Sequence, residues 1–193
     1  MYKKKNFKVA IIGLGYVGLP LYLLCLQKKI DVVGYDLNSK KIDQLKNNSS
    51  YIVDVKNSDL KKYESKKLFT MGKIKNINDR NLIIFCLPTP ILKNKDPDMS
   101  YIKKALFSMK DYISDDTFLI LESTVYPGAT REILGSFIEF KLKKKTGIEY
   151  GFSSERISPG QNDKRRFKIN YNSIPKVISG SSKKALNFIN SFY

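Results

Sequence analysis

The sequence predicts an α/β fold, with a doubly wound, mostly parallel β-sheet that carries helices on both faces. Short apolar runs alternate along the chain with helix-forming stretches, an order typical of parallel strands joined by crossover helices. The first apolar run ends in closely spaced glycines, and polar or proline-containing stretches follow several later runs. No internal repeat is evident, so we expect one sheet with ligands at the carboxyl ends of its strands.

The predicted elements follow these runs in chain order. Strands are predicted at Phe7–Ile12, Asp31–Asp36, Asn81–Pro88, Thr117–Ser123, Gly147–Phe152 and Pro175–Gly180. Helices are predicted at Leu19–Gln27, Ser39–Lys46, Ser100–Lys110, Thr130–Lys143 and Ser181–Phe192. Residues 47–66 give no clear prediction, and the polar, basic stretch Gln161–Ser173 is predicted to be a long loop.

The net charge of +17 comes from 35 Lys and Arg against 18 Asp and Glu. Such an excess occurs in proteins that bind nucleic acids or membrane surfaces. Here, however, 30 of the 35 cations are lysines spread along the whole chain. Base readout and phosphate clamping favour arginine, and single-strand binding requires aromatic residues interleaved with cations in one patch. We therefore expect no nucleic-acid partner.

Histidine is absent, which excludes His general bases, Ser-His-Asp triads and His metal ligands. Cys25 and Cys86 form no CxxC pair and lie in apolar runs, so we predict core residues in a cytoplasmic protein, with no metal site and no disulfide. The basic N-terminus and the apolar run Val9–Leu26 resemble a signal or membrane anchor. We predict neither, because the run contains three glycines and Pro20 and lacks an A-x-A-like cleavage site.

The stretch "IGLGYVG" gives the spacing G-x-G-x-x-G between the first strand and the first helix. In this context Gly13 makes the tight turn, Gly15 lets the backbone approach a pyrophosphate, and Gly18 lets the helix pack closely on the strand. Tyr16 and Val17 complete the loop, and the helix N-terminus offers N–H groups to the phosphates. These five residues predict a Rossmann-like dinucleotide site; a glycine turn without a ligand is the alternative.

Asp36 ends the second predicted strand, where a carboxylate accepts hydrogen bonds from ribose hydroxyls and repels a 2′-phosphate. No arginine follows it, although Lys40 and Lys41 are near. The sequence therefore favours NAD over NADP.

Three unusual stretches follow later strands: "CLPTP" at Cys86–Pro90, "ESTVYPGATRE" at Glu122–Glu132 and "GFSSERISPG" at Gly151–Gly160. Each alone is typical of a loop. Ligands of open α/β sheets bind beyond the carboxyl ends of the strands, so together these stretches are expected to line one crevice.

These motifs, with "GYD", "PDMSYI" and "PKVISG", occur in the order found in nucleotide-sugar 6-dehydrogenases. The whole chain resembles the N-terminal NAD-binding domain of the UDP-glucose/GDP-mannose dehydrogenase superfamily. The motifs "STVYPG" and "S-x-ERI-x-PG" are similar to those of the branch whose enzymes act on UDP-N-acetylhexosamines in capsule and O-antigen synthesis. The resemblance implies two successive oxidations of a sugar C6 alcohol to a carboxylate with two NAD⁺. Which acetylhexosamine is used stays open.

The resemblance also implies roles for individual residues. Gly13, Gly15, Tyr16, Val17, Gly18 and Asp36 would hold NAD, with Thr89 and Thr124 close to the nicotinamide half. Thr124 and Glu155 match the family's threonine and glutamate that position the attacking water and assist proton transfer. Arg156 would face the nucleotide-sugar side together with Glu155.

The family's nucleophilic cysteine, catalytic lysine and catalytic asparagine belong to later segments without counterparts in these 193 residues. We therefore expect residues 1–180 to form an NAD-binding domain, residues 181–193 to begin a helix toward a substrate domain, and the chain alone to be inactive. The complete enzymes of the family are expected to be homodimers. Ser154, Ser158 and Gln161 depart from the proline, asparagine and aspartate common in the family. A stand-alone dinucleotide-binding module without catalysis is the alternative function.

Overall fold

The computed structural model describes residues 7–66, 69–70, 77–143, 145–155 and 175–193. Arg156 and the predicted loop Gln161–Ser173 lie outside these ranges. No helix of the described part is both long and apolar enough to span a membrane.

The described strands form one seven-stranded sheet in the order β3-β2-β1-β4-β5-β6-β7. They are β1 Lys8–Ile12, β2 Asp31–Tyr35, β3 Phe69–Thr70, β4 Leu82–Phe85, β5 Phe118–Leu121, β6 Glu149–Ser153 and β7 Ile178–Gly180. All neighbours are parallel except β6 and β7. The strand order reverses between β1 and β4, which places the binding crevice of a doubly wound sheet there. The predicted fold class is confirmed.

The described helices are α1 Gly18–Gln27, α2 Ser39–Lys46, α3 Asn57–Lys61, α4 Ser100–Met109, α5 Ser136–Lys141 and α6 Lys183–Phe192. A 3₁₀ turn covers Glu64–Lys66, and a π-helical turn at Arg131–Gly135 leads directly into α5. The helix predicted at Thr130–Lys143 is therefore present but begins with a wider turn than an α-helix has.

Two hydrophobic cores cover the two faces of the sheet. Alternate residues of β1 belong to different cores. Val9 and Ile11 lie in the first core, and Ala10 and Ile12 lie in the second. The first core contains apolar residues of α1, α2 and α6, and the second contains those of α4 and of the helix after β5. Burial on both faces explains why the central strands are continuous apolar runs.

Helix α6 packs on the first core. Phe188 stacks on Phe118 with ring centroids 3.6 Å apart, and it meets Phe7 edge to face at 5.1 Å. The side chain of Ser182 caps the helix by accepting from the N–H of Ala185 at 3.1 Å. The division of the chain at residue 180 stays a prediction.

The strand and the α-helix that the sequence did not predict are β3 and α3. Each is short, and each depends on partners that are distant in sequence. Strand β3 pairs with β2 through only Gly34↔Phe69 and Tyr35↔Thr70, and α3 buries Leu60. Local sequence therefore carried little information about them.

Candidate functional site

The glycine loop lies at the point where the strand order reverses. The N–H of Gly13 donates to the carbonyl of Tyr35 at 2.8 Å, and the N–H of Cys86 donates to the carbonyl of Ile12 at 2.8 Å. Gly13 has φ +93°, and a Cβ there would lie 2.5 Å from the carbonyl oxygen of Cys86. Both the backbone conformation and the close approach of β4 require glycine at this position.

Gly18 and Gly15 are glycines for opposite reasons. A Cβ on Gly18 would lie 1.8 Å from the carbonyl oxygen of Gly13, so α1 packs directly on the turn. A Cβ on Gly15 would meet no atom within 4 Å. Packing within the protein therefore does not explain Gly15, and the open space beside its backbone fits the close approach of a pyrophosphate.

The N-terminus of α1 faces this loop without a competing acid. Val17 makes no side-chain capping hydrogen bond, and the first turn of α1 contains no acidic residue. Tyr16 is 43% exposed beside it. Backbone N–H groups at a helix N-terminus, with the positive end of the helix dipole, favour a phosphate ligand.

Asp36 is held firmly at the end of β2. One carboxylate oxygen accepts from the N–H of Leu14 at 3.0 Å, and the other accepts from the N–H of Asn38 at 2.9 Å. Lys41 Nζ lies 3.8 Å from the carboxylate. Each oxygen of a carboxylate has two acceptor sites, so this arrangement leaves capacity for ribose hydroxyls next to the glycine loop.

Replacing Asp36 by alanine is expected to weaken NADH binding by about tenfold or more, since charge-assisted hydrogen bonds are lost. The NADPH-to-NADH affinity ratio should rise, because the repelling carboxylate is gone and Lys41 stays. Asp36→Asn is the matched control, as it keeps an acceptor oxygen but removes the charge. Fluorescence titrations with both nucleotides measure the ratio. An unchanged ratio in both variants would refute this role of Asp36.

The predicted residues after β4 and β5 lie together. Thr89 Oγ1 donates to the carbonyl of Thr124 at 2.6 Å. Ser123 Oγ donates to the carbonyl of Leu87 at 2.7 Å and accepts from the N–H of Leu87 at 3.0 Å. These hydrogen bonds join the two loops into one rim, in which Thr124 is exposed and Ser123 is buried.

Glu155 follows the neighbouring strand at a matching position. Leu121 pairs with Phe152 in the parallel β5–β6 ladder. Thr124 lies three residues after Leu121, and Glu155 lies three residues after Phe152. Glu155 is partly exposed. The structure thus brings Thr89, Thr124 and Glu155 to one edge of the sheet, and Arg156 lies outside the described residues.

A polar cluster around the buried Glu122 and Ser153 was not predicted from the sequence. It consists of Glu122, Ser153, Lys176 and Tyr193, which meet although they are far apart in the chain. Glu122 is 2% exposed and accepts hydrogen bonds from Lys176 and from the hydroxyl of Tyr193. Lys176 Nζ also lies 3.5 Å from Ser153 Oγ. Burial raises the pKa of Glu122, and Lys176 opposes this rise.

Both cysteines are buried core residues, as predicted. Burial and the nearby Glu122 raise the pKa of Cys25 to about 12. Burial raises the pKa of Cys86 well above its ordinary value, with Glu122 adding to the rise. Since the thiolate is the reactive form, neither cysteine is suited to act as a nucleophile. Among the described residues no group of three or more Cys, Asp or Glu could hold a metal ion.

A separate cavity of about 500 Å³ opens beside the loop after β5. Its walls include Val125, Tyr126, Arg131, Tyr150 and Ser181. None of its lining residues belongs to the glycine loop, and Asp36 is not among them. The cavity is therefore not lined by the predicted residues of the adenosine and pyrophosphate end, although the loop that lines it begins next to Thr124.

Comparison with known proteins agrees with this geometry. The sequence profile of the UDP-glucose/GDP-mannose dehydrogenase family, NAD binding domain, matches residues 7–193. The UDP-N-acetyl-D-glucosamine 6-dehydrogenase of Pseudomonas aeruginosa is 36% identical over 98% of this chain and 43% of the relative. Protein CapL of Staphylococcus aureus is 34% identical over 97% of this chain and 43% of the relative.

A solved structure gives the same picture. The UDP-D-ManNAc dehydrogenase of Pyrococcus horikoshii superposes with a TM-score of 0.83 at 29% identity, over 96% of this chain and 44% of that chain. The chain spans less than half the length of the curated relatives it matches.

Proposed function

The chain belongs to the UDP-glucose/GDP-mannose dehydrogenase family and matches its NAD-binding domain, and we propose that it is the cofactor-binding portion of a UDP-N-acetylhexosamine 6-dehydrogenase. In this role it takes part in oxidising the C6 alcohol of the sugar to the uronate with two NAD⁺, in capsule or O-antigen synthesis. The observation that carries the proposal is that Thr124 and Glu155 lie at matching positions beyond the adjacent strands β5 and β6. This is the same edge of the sheet as the glycine loop.

NAD⁺, when bound, supplies the hydride acceptor for alcohol oxidation. The residues that would hold it fall into two groups. At the adenosine and pyrophosphate end these are Gly13, Gly15, Tyr16, Val17, Gly18 and Asp36. At the nicotinamide end they are Thr89 and Thr124, whose loops are joined by the hydrogen bond from Thr89 Oγ1 to the Thr124 carbonyl.

Glu155 and Thr124 would act on protons and water rather than on the hydride. Oxidation of an alcohol requires removal of a proton, and formation of a carboxylate requires an activated water. A partly exposed carboxylate with a hydroxyl at the neighbouring strand end can accept the proton and orient the water. Arg156, with its cationic side chain, would face the nucleotide-sugar.

We expect these 193 residues alone to bind NAD(H) without turning over a UDP-sugar, because the relatives that they match are more than twice as long. The small-molecule partner of the longer protein would be a UDP-N-acetylhexosamine, with no nucleic-acid and no membrane partner. A homodimer in the cytoplasm is the expected setting.

A chimera tests the proposed function. Residues 1–193 would replace the matching N-terminal part of the Pseudomonas aeruginosa relative, and NADH formation would be followed with UDP-N-acetylglucosamine and UDP-N-acetylmannosamine. We expect turnover with one of them. Glu155→Gln and Thr124→Ala in the chimera should each lower the turnover number by about 100-fold or more, the usual contribution of a positioned acid–base group.

The exposed Glu139 on α5 offers a matched control. Glu139→Gln removes a carboxylate that lies on a helix and not in the segments that directly follow β5 and β6. It should leave turnover unchanged. A folded chimera that binds NADH but oxidises neither UDP-sugar would contradict the proposal and favour a dinucleotide-binding module without catalysis. Robust NADH formation by residues 1–193 alone would contradict the expectation that the isolated chain is inactive.

A further inference from the structure

The residue between the first two loop glycines is held from three sides. The N–H of Leu14 donates to Asp36 Oδ2 at 3.0 Å, and its carbonyl accepts from the hydroxyl of Tyr51 at 2.5 Å. Its side chain is fully buried, and a Cβ on Gly34 of β2 would lie 2.9 Å from it. Leu14 is therefore fixed in orientation by contacts from β2 and from the segment after α2.

The contact with Tyr51 determines the direction of the next N–H. The peptide unit between Leu14 and Gly15 is planar, and in a trans unit the carbonyl and the N–H point in opposite directions. A hydroxyl that holds the Leu14 carbonyl therefore turns the Gly15 N–H away from Tyr51. The open space beside Gly15 is where a phosphate would meet that loop.

Tyr51 is itself well supported. Lys41 Nζ lies 5.3 Å from the centre of its ring, and the same ammonium group lies 3.8 Å from Asp36. The backbone before it is tied by the N–H of Ser50, which donates to Asn57 Oδ1 at 2.8 Å. Burial and the nearby Asp36 raise the pKa of Tyr51, so its hydroxyl stays protonated and able to donate at neutral pH.

We propose that Tyr51 is a positioning residue of the dinucleotide site, which sets the orientation of the Leu14–Gly15 peptide so that the loop meets the pyrophosphate. The alternative is a merely structural contact that anchors residues 47–66 to the sheet. The two differ in which ligand affinities they affect. Loss of a positioning contact weakens the binding of ligands that carry phosphates, whereas loss of an anchoring contact changes the affinities for ligands with and without phosphates alike. The inference rests on NAD binding and not on the proposed oxidation.

The test is Tyr51→Phe, which keeps the ring and removes only the hydroxyl. Affinities for NADH, ADP-ribose and adenosine would be measured by calorimetry and NMR titration. We expect Kd for NADH and ADP-ribose to rise about fivefold to tenfold, the range for one lost hydrogen bond, with little change for adenosine. The ratio of ADP-ribose to adenosine affinity is the decisive quantity, because a loss of folded protein cancels in it.

Tyr63→Phe is the control, because Tyr63 also packs on the first core but makes no described contact with the loop. It should leave all three affinities unchanged. A second readout is the amide resonance of Gly15 in the ligand-free protein, which should shift in Tyr51→Phe and not in Tyr63→Phe. An unchanged ADP-ribose to adenosine ratio in Tyr51→Phe would overturn the proposal, whether or not the Gly15 amide shifts.

Discussion

Replacing Gly18 by alanine is expected to lower the free energy of unfolding by about 2 kcal/mol or more. The new Cβ would lie 1.8 Å from the carbonyl oxygen of Gly13 and 3.2 Å from Cys86 Cβ, and overpacking against backbone forces α1 away from the sheet. Without the clash, alanine would stabilise a helix by up to about 1 kcal/mol relative to glycine. The clash outweighs this gain, so the net change in the free energy of unfolding is a decrease. Chemical denaturation monitored by circular dichroism measures the change.

Gly15→Ala is the matched substitution, with the opposite expected result. Its Cβ would meet no atom within 4 Å, so the unfolding free energy should stay within about 0.5 kcal/mol of the original, as for substitutions away from close contacts. NADH affinity should nevertheless fall steeply, because the methyl group fills the space beside the phosphate loop. Equal destabilisation by the two alanines would contradict the account of the loop.

Lys176→Met is expected to destabilise the protein by about 3–5 kcal/mol, the usual cost of leaving one partner of a buried ion pair uncompensated. Glu122 is 2% exposed, and Lys176, with a side chain that is 26% exposed, is its cationic partner. The double variant with Glu122→Gln should recover much of the loss, which denaturation of the four proteins of a double-mutant cycle would show.

The exposed pair of Lys184 and Asp116 gives the control. Lys184→Met should change the unfolding free energy by less than about 1 kcal/mol, as is usual for exposed ion pairs. A loss of similar size from Lys176→Met would contradict the importance of the buried pair.

The cost of Lys176→Met should also depend on pH. Burial raises the pKa of Glu122 above its ordinary value of 4.5, and Lys176 is the main group opposing this rise. Without Lys176 the pKa of Glu122 in the folded state rises further above its value in the unfolded state. Between these two pKa values the folded variant binds more protons than the unfolded chain, so its stability falls as pH increases. The destabilisation should therefore be smallest in acid and grow toward neutral pH.

The features that were predicted from the sequence are those encoded locally. The apolar runs identified the central strands, because strands buried on both faces carry few polar residues. The spacing of Gly13, Gly15 and Gly18 predicted a glycine loop between β1 and α1, and the structure shows the turn at Gly13 and the close helix packing at Gly18. The role of Gly15 in ligand approach stays a prediction. The predicted NAD cofactor agrees with the family that matches residues 7–193.

The features that were missed depend on contacts between distant residues. Tyr51 reaches Leu14 across 37 positions and Lys176 reaches Glu122 across 54. No periodicity in the polar segment 47–66 indicated that Tyr51 would meet the glycine loop. Likewise, "PKVISG" predicted a strand but gave no reason to pair its lysine with the carboxylate of "EST". Such pairings arise from topology, which brings strand ends together regardless of sequence separation.

The central claim, that residues 1–193 carry a working NAD site, is tested most directly by titrating the purified chain with NADH and NADPH and following nucleotide fluorescence. The account predicts saturable binding of one NADH per chain, tighter than that of NADPH because of Asp36, and lost in Gly15→Ala while the protein stays folded. A folded chain without saturable NADH binding, or one that prefers NADPH, would contradict it.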